Sequence, residues 1–169
     1  MREKGRILWV LASLGVAAGI FYSTSMTGEV SGAASMGIIE RVTALMPFLP
    51  FSEDTLNFIL RKGAHFVVFF ALAFCVAQAL KYYMGGRKLF FCAWGTAAVY
   101  GVLDEIHQYF IPGRGCAVGD MVINATGAAV GTGLVLLLLR KRAHIVEGTH
   151  SSKDIHTAKG QNPDWEEFS

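Results

Sequence analysis

The chain has 169 residues, of which 53% are hydrophobic and only 17% are charged, and its mean hydropathy is +0.42. The length suits one domain, but the apolar residues form long blocks between short polar, glycine-rich or basic segments, which an ordinary soluble core does not need. The net charge of +2 says little about partners, and nothing in the sequence supports nucleic-acid binding.

Four apolar blocks are long enough to cross a membrane, at about residues 7–22, 63–80, 89–110 and 118–139. A helix rises about 1.5 Å per residue and the hydrocarbon core is about 30 Å thick, so runs approaching about 18 apolar residues predict spans. Each span must be helical, because an isolated span has to satisfy its backbone polar groups within itself. The sequence therefore predicts an all-α bundle of four transmembrane helices in a lipid bilayer.

The first block has an alternative interpretation as a cleavable signal peptide. It follows a basic start, and small residues come after it at Gly32, Ala33 and Ala34. The apolar run exceeds the usual length for such a peptide, and the later blocks indicate a polytopic protein in either case. A retained first span is therefore the favoured interpretation.

The segment between the first two spans has two parts. Residues 23–37, "STSMTGEVSGAASMG", are small and polar and predict an irregular segment. Residues 38–51, "IIERVTALMPFLPF", are amphipathic, and Pro47 and Pro50 should end any helix there. That helix would lie either on the outer membrane surface or over the bundle. Ser52 then predicts an N-cap, with Glu53 and Asp54 in the first turn of a helix that continues into the second span.

The fourth span carries a GxxxG step at Gly127 and Gly131, which favours close packing within the bundle over dimerisation. Residues 1–142 form the predicted membrane domain. The tail, residues 143–169, is polar and lacks apolar periodicity, so it is expected to be disordered. The sequence does not specify an oligomeric state.

Basic residues give the predicted orientation. They cluster at alternate joints, as Arg2, Lys4 and Arg6, then Lys81, Arg87 and Lys88, then Arg140, Lys141 and Arg142. The other two joints carry Arg41, Arg61, Lys62 and Arg114. The positive-inside rule then places both termini in the cytoplasm of a multi-pass cell-membrane protein.

Polar groups of three spans should gather at one depth, near the outer ends of the helices. They are Lys62 and His65 in the second span, Asp104, Glu105, His107 and Gln108 in the third, Arg114 in the following turn, and Asp120 and Asn124 in the fourth. Charged groups are costly inside a membrane, so they normally face the bundle interior or a wet cavity and pair with one another. The sequence thus predicts a shared polar pocket open to the outside.

Three stretches together carry a resemblance to a known family. "KGAHFVVFF", "DEIHQYFIPGR" and "GDMVINATGAAVG" resemble the VanZ-like family of bacterial integral membrane proteins over about residues 7–140. The matching positions are Lys62 and His65; Asp104, Glu105 and Gln108; Arg114; and Asp120, Asn124 and Gly127. Phe69 is a departure, since many members carry a Tyr there. The family takes its name from a member linked to teicoplanin resistance.

Two functions from different classes remain open. In the first, the pocket binds an anionic or peptide-like cell-envelope component, such as a lipid-linked precursor or a glycopeptide, and contributes to glycopeptide resistance. The ligand-binding candidates are Lys62, His65, Gln108, Arg114, Asp120 and Asn124. In the second, the protein is a membrane enzyme in which Asp104 or Glu105 is a general acid or base and His65 assists. Whether the protein is an enzyme is undecided at this point.

Two further interpretations of the polar residues compete with these functions. Lys62 and Arg114 could merely neutralise the carboxylates as a structural lock, although three anions, His65 and two amides exceed what a lock needs. A metal site from His65, Asp104, His107 and Asp120 has suitable ligand types, but the nearby cations oppose it. Neither a metal nor another cofactor is therefore predicted.

Overall fold

The computed structural model describes residues 2–45, 48 and 50–160, with side chains for residues 3–45, 48 and 50–145. Its described part contains five helices and no strand. They are α1 (Arg2–Thr24), α2 (Gly28–Leu45), α3 (Glu53–Leu80), α4 (Gly86–Tyr109) and α5 (Val118–Gly160).

Four of these helices are long and apolar enough to cross a membrane. They are α1 over Glu3–Thr24, α3, α4, and α5 over Val118–Ile145. Only 11–33% of the most apolar window of each is buried within the protein, so most of this apolar surface is left for lipid. The all-α prediction with four spans is confirmed, whereas the side on which the termini lie stays a prediction.

The sequence predicted an irregular segment at residues 23–37, but helix α2 begins within it, so this prediction was wrong. The helix begins at Gly28, whose amide donates to the carbonyl of Pro112 at 2.9 Å. This contact needs glycine, because an added Cβ would lie 2.0 Å from the carbonyl oxygen of Gly113. The Gly and Ser residues suggested a loop, but alanines favour a helix and tertiary contacts fix its start. Helix α2 packs against α3 and buries Ile39, as expected for a helix over the bundle.

Helix α3 begins as the sequence predicts. The Ser52 hydroxyl accepts a hydrogen bond from the amide of Thr55, and Glu53 and Asp54 occupy the first turn. The helix continues unbroken to Leu80 and so includes the whole second span. Pro47, one of the two predicted helix terminators, lies outside the described residues.

The GxxxG step joins α5 to α3. A Cβ added to Gly127 would lie 2.3 Å from the carbonyl oxygen of Phe66, and one added to Gly131 would lie 2.3 Å from that of Phe70. The backbones therefore approach too closely for any larger residue. This arrangement confirms that the step packs within the bundle.

Hydrogen bonds from two aromatic side chains tie α4 to its neighbours. Tyr100 donates to the carbonyl of Ala17 in α1 at 2.8 Å, and Trp94 donates to the carbonyl of Ala125 in α5 at 3.0 Å. Phe69, the departure from the family pattern, is fully buried and its ring centroid lies 6.3 Å from that of Tyr100. It belongs to a core with Ile20, Leu72, Ala73, Ala97 and Ala128.

The contacts divide the chain into two units, Met1–Val135 and Leu136–Ser169. In its described part the second unit is the remainder of α5. Helix α5 continues as far as Gly160, past the start of the polar tail at residue 143, and the expected disorder of this tail stays a prediction. Residues 161–169 lie outside the described part, and the proposed domain boundary at 142 stays a prediction.

Candidate functional site

Lys62 of α3 and Asp120 of α5 form an ion pair in which the lysine ammonium donates to the carboxylate. Asp120 lies in the first turn of α5, where the helix dipole also favours a negative charge. The two side chains retain 29% and 15% of their exposure, so solvent reaches the pair. The predicted partnership of these two spans is therefore present at the partly exposed margin of the site.

His65 connects three spans one turn further along α3. Its Nδ1 lies 3.2 Å from Oδ1 of Asn124 in α5 and 3.9 Å from Oε1 of Glu105 in α4. Asn124 is fully buried, and its Nδ2 has no hydrogen-bond partner among the described residues. The imidazole thus faces a carboxylate and an amide that were predicted to accompany it.

Gln108 holds the two adjacent carboxylates of α4. Its Nε2 donates to Oδ2 of Asp104 at 3.0 Å and to Oε1 of Glu105 at 3.3 Å, as the i+4 and i+3 spacings allow. Its Oε1 accepts from Nη1 of Arg114 at 3.3 Å. The other oxygen of Glu105, Oε2, accepts from the amide of Ala117 at 3.0 Å, just before α5. Both oxygens of the fully buried Glu105 are therefore occupied.

Arg114 completes the network from the turn between α4 and α5. Gly113 has a φ of 73°, a left-handed conformation that favours glycine, and it precedes Arg114 in this turn. Nη2 of Arg114 donates to the carbonyl of Ser23 at the end of α1, at 3.2 Å. Burial lowers the pKa of the Arg114 guanidinium from its ordinary value, and neighbouring Arg61 lowers it further. Its buried Nε has no partner among the described residues.

His107 lies apart from this network, although the sequence predicted it among the groups of the shared polar pocket. Its Nε2 lies 3.1 Å from the Ser25 hydroxyl, and its ring stacks on Phe21 with centroids 4.8 Å apart. Both partners belong to α1 or to the segment directly after it. His107 therefore joins α4 to that part of the chain.

Two cavities adjoin the network. The larger, of about 570 Å³, lies between α1, α2 and α3, and His65, Asp104 and Arg114 are among its lining residues. The smaller, of about 350 Å³, is lined by Asp54, Asn57, Phe58, Arg61, Lys62, His65 and Asp120. Of the predicted site residues, Glu105, Gln108 and Asn124 line neither of these cavities. Instead, Asn124 and Glu105 contact His65, and Gln108 contacts Asp104 and Arg114, which line the cavities.

Arg61 is a site residue that was not predicted from the sequence. It lines both cavities and forms no ion pair with a described residue. Its spacing of four residues before His65 places both side chains on one face of α3, and this spacing was the available clue. The contribution of α2 to the larger cavity was missed as well, because its first half was taken for a loop.

Among the described residues, the groups that could hold a metal ion are His65, Asp104 and Glu105, whose ligand atoms all lie within 4.8 Å of one another. This trio differs from the set weighed in the sequence, because His107 faces Phe21 and Asp120 pairs with Lys62. The ligand types suit a divalent cation, but Arg114 donates into the same network and opposes added positive charge. The arrangement can bind a polar ligand or move a proton.

Four membrane-spanning helices, with polar groups of three of them joined at one end of the bundle, define a multi-pass membrane protein. The family model described as VanZ/LLP1 matches residues 9–139, and the chain belongs to this family. The resemblance noted from the three sequence stretches is thereby confirmed. No curated protein and no solved structure matches the chain significantly.

Proposed function

We propose that the protein binds an anionic or peptide-like component of the cell envelope in a polar pocket that faces outward. Lys62, His65, Arg114 and Asp120 would contact the ligand, and Gln108 and Asn124 would hold these groups in place. In the cell this binding would contribute to resistance against glycopeptides of the teicoplanin type.

The observation that supports this proposal is that several hydrogen-bond donors in the network have no partner. Nδ2 of Asn124 and Nε of Arg114 are buried and have no hydrogen-bond partner among the described residues. Arg61 forms no ion pair with a described residue. Buried polar groups are normally satisfied, and Arg61 and Arg114 line a cavity of about 570 Å³, so their unmatched donors suit an anionic or carbonyl-rich ligand there. A structural lock would leave no such surplus.

Teicoplanin susceptibility tests this proposal in cells with and without the gene. We expect the wild-type chain to raise the inhibitory concentration, and Arg114→Ala and Asp104→Asn to abolish most of that increase. Arg41→Ala is the matched control, because it removes an exposed arginine of α2 that lines neither cavity. Equal susceptibility across the whole set would count against the proposal.

A second candidate function is that of a membrane enzyme acting on a lipid or another envelope substrate. His65 borders both cavities and lies 3.9 Å from Glu105, an arrangement that suits general acid–base chemistry. Asp104 would exchange a proton with the substrate, because it lines the larger cavity. Glu105 would orient His65, and Arg114 would hold a phosphate or carboxylate.

Turnover separates the two functions. The purified chain would be incubated with an envelope lipid extract, and the lipids compared by mass spectrometry before and after. An enzyme would convert a lipid catalytically, and both Asp104→Asn and Glu105→Gln would abolish the conversion. A lipid that is retained unchanged, at one molecule or less per chain, would favour the binding protein.

A further inference from the structure

The larger cavity has two chemically distinct parts. Its polar end presents Arg61, His65, Asp104 and Arg114. The rest of its wall is mainly apolar, with Val16 and Ile20 from α1, Ile38 from α2, and Leu60 and Val68 from α3. This division matches a molecule with a charged head and a hydrocarbon chain.

The lining of the polar end carries more positive than negative groups. Among the described lining residues, Arg61 and Arg114 are cationic, Asp104 is the one carboxylate and His65 is the other titratable side chain, while Glu105 lies behind them, outside the lining. Asp104 already accepts a hydrogen bond from Gln108 at 3.0 Å. Burial lowers the pKa of the Arg114 guanidinium most and Arg61 lowers it further, whereas Asp104 and Glu105 raise it. An anion between Arg61 and Arg114 would relieve the repulsion that Arg61 adds. A phosphate group fits the planar donors of arginine.

The apolar part of the cavity can be reached from the bilayer. Val16, Ile20, Leu60 and Val68 lie in the segments of α1 and α3 that cross the membrane. Ile38 and Val68 remain 48% and 36% exposed, so the wall they form is open at the protein surface. A lipid chain could enter here without leaving the hydrocarbon environment.

We propose that the occupant of this cavity is an anionic membrane lipid. Its phosphate head group binds between Arg61 and Arg114, and its chain lies along the apolar wall formed by α1, α2 and α3. The inference rests on the proposed binding function and narrows the ligand from any envelope component to a lipid phosphate.

Hexadecyl phosphate provides the probe, and native mass spectrometry of the full chain in a neutral detergent counts the bound molecules. We expect one hexadecyl phosphate to bind in preference to hexadecanol, which lacks the charge, and to inorganic phosphate, which lacks the chain. Arg114→Gln and Arg61→Gln should each weaken binding by about tenfold, because each removes charge-assisted hydrogen bonds. Arg41→Gln should leave it unchanged.

Substitutions at two glycines of α1 test the apolar part of the cavity separately. A Cβ added to Gly15 or to Gly19 meets nothing within 4 Å, but only Gly19 lines the cavity. Gly19→Leu should therefore fill the space for the chain and abolish most binding, whereas Gly15→Leu should bind as the wild type does. These variants leave the arginines intact, so they remain informative if Arg114→Gln impairs folding.

Three results would each overturn the lipid inference. They are equal binding of hexadecanol and hexadecyl phosphate, equal effects of Arg114→Gln and Arg41→Gln, and unimpaired binding by Gly19→Leu. If resistance depends on Arg114 while hexadecyl phosphate does not bind, the ligand is not a lipid, and the proposed binding function survives. If hexadecyl phosphate binds as expected while susceptibility is unchanged, the lipid site stands and the role in resistance fails.

Discussion

At the scale of single residues, Gln108 has the most connections in the site. Its amide donates to Asp104 and Glu105 and accepts from Arg114, so one side chain links two carboxylates to the cation that balances them. Only a primary amide offers two donors and an acceptor at this position without adding charge. Gln108 is 3% exposed, and water cannot readily replace it.

Replacing Gln108 with Leu should therefore destabilise the protein. The substitution removes the amide that donates to both Asp104 and Glu105 in a buried site, which costs about 2–3 kcal/mol. Thermal unfolding in detergent measures the loss. Gln78→Leu is the control, because Gln78 lies on α3 away from both cavities; it loses a hydrogen bond from Lys81 and should cost about 1 kcal/mol or less. Equal stability of the two variants would contradict the central role of Gln108.

At the scale of helices, the packing of α5 on α3 determines whether the site forms. Gly127 lies about one turn after Asn124 in α5, and its close approach to the carbonyl of Phe66 brings Asn124 to His65. The Lys62–Asp120 pair joins the same two helices. Moving α5 away from α3 would therefore break both polar contacts together.

Gly127→Ala should consequently separate α5 from α3 and lower stability, since the new methyl group would lie 2.3 Å from a backbone oxygen. Gly133→Ala is the matched control in the same helix, because its Cβ meets nothing within 4 Å. Alanine favours helix over glycine by about 0.5–1 kcal/mol, so this control should be neutral or slightly stabilising. Thermal unfolding in detergent measures both variants. A loss of stability at Gly133 as large as that at Gly127 would contradict the packing.

Some of the helices could be predicted from the sequence and others could not, for physical reasons. Hydropathy and charge are local properties, so the four spans and the polar end common to three of them could be predicted. Helix α2 depends on Gly28 meeting the turn at Gly113, a contact between segments distant in the chain. The packing of the helices likewise decides that His107 faces Phe21. It also decides that Asp104, and not Glu105, lines a cavity.

At the scale of the whole molecule, the orientation in the membrane is the main prediction still to be tested. Cys116 is exposed and lies in the turn beside Arg114, whereas Cys75 is buried. With Cys75 and Cys92 replaced by Ser, a membrane-impermeant maleimide should label Cys116 in intact cells. A single cysteine placed at Gly85, in the opposite joint, should react only after the cells are opened. The reverse pattern would place the polar site on the cytoplasmic side.

Helix α1 is attached to the rest of the bundle partly through its main chain. Tyr100 donates to the carbonyl of Ala17, and Arg114 donates to that of Ser23. Every amino acid carries such a carbonyl, so neither hydrogen bond depends on the side chain present at position 17 or 23. Those two positions of α1 can therefore change in evolution while the acceptors for Tyr100 and Arg114 stay in place.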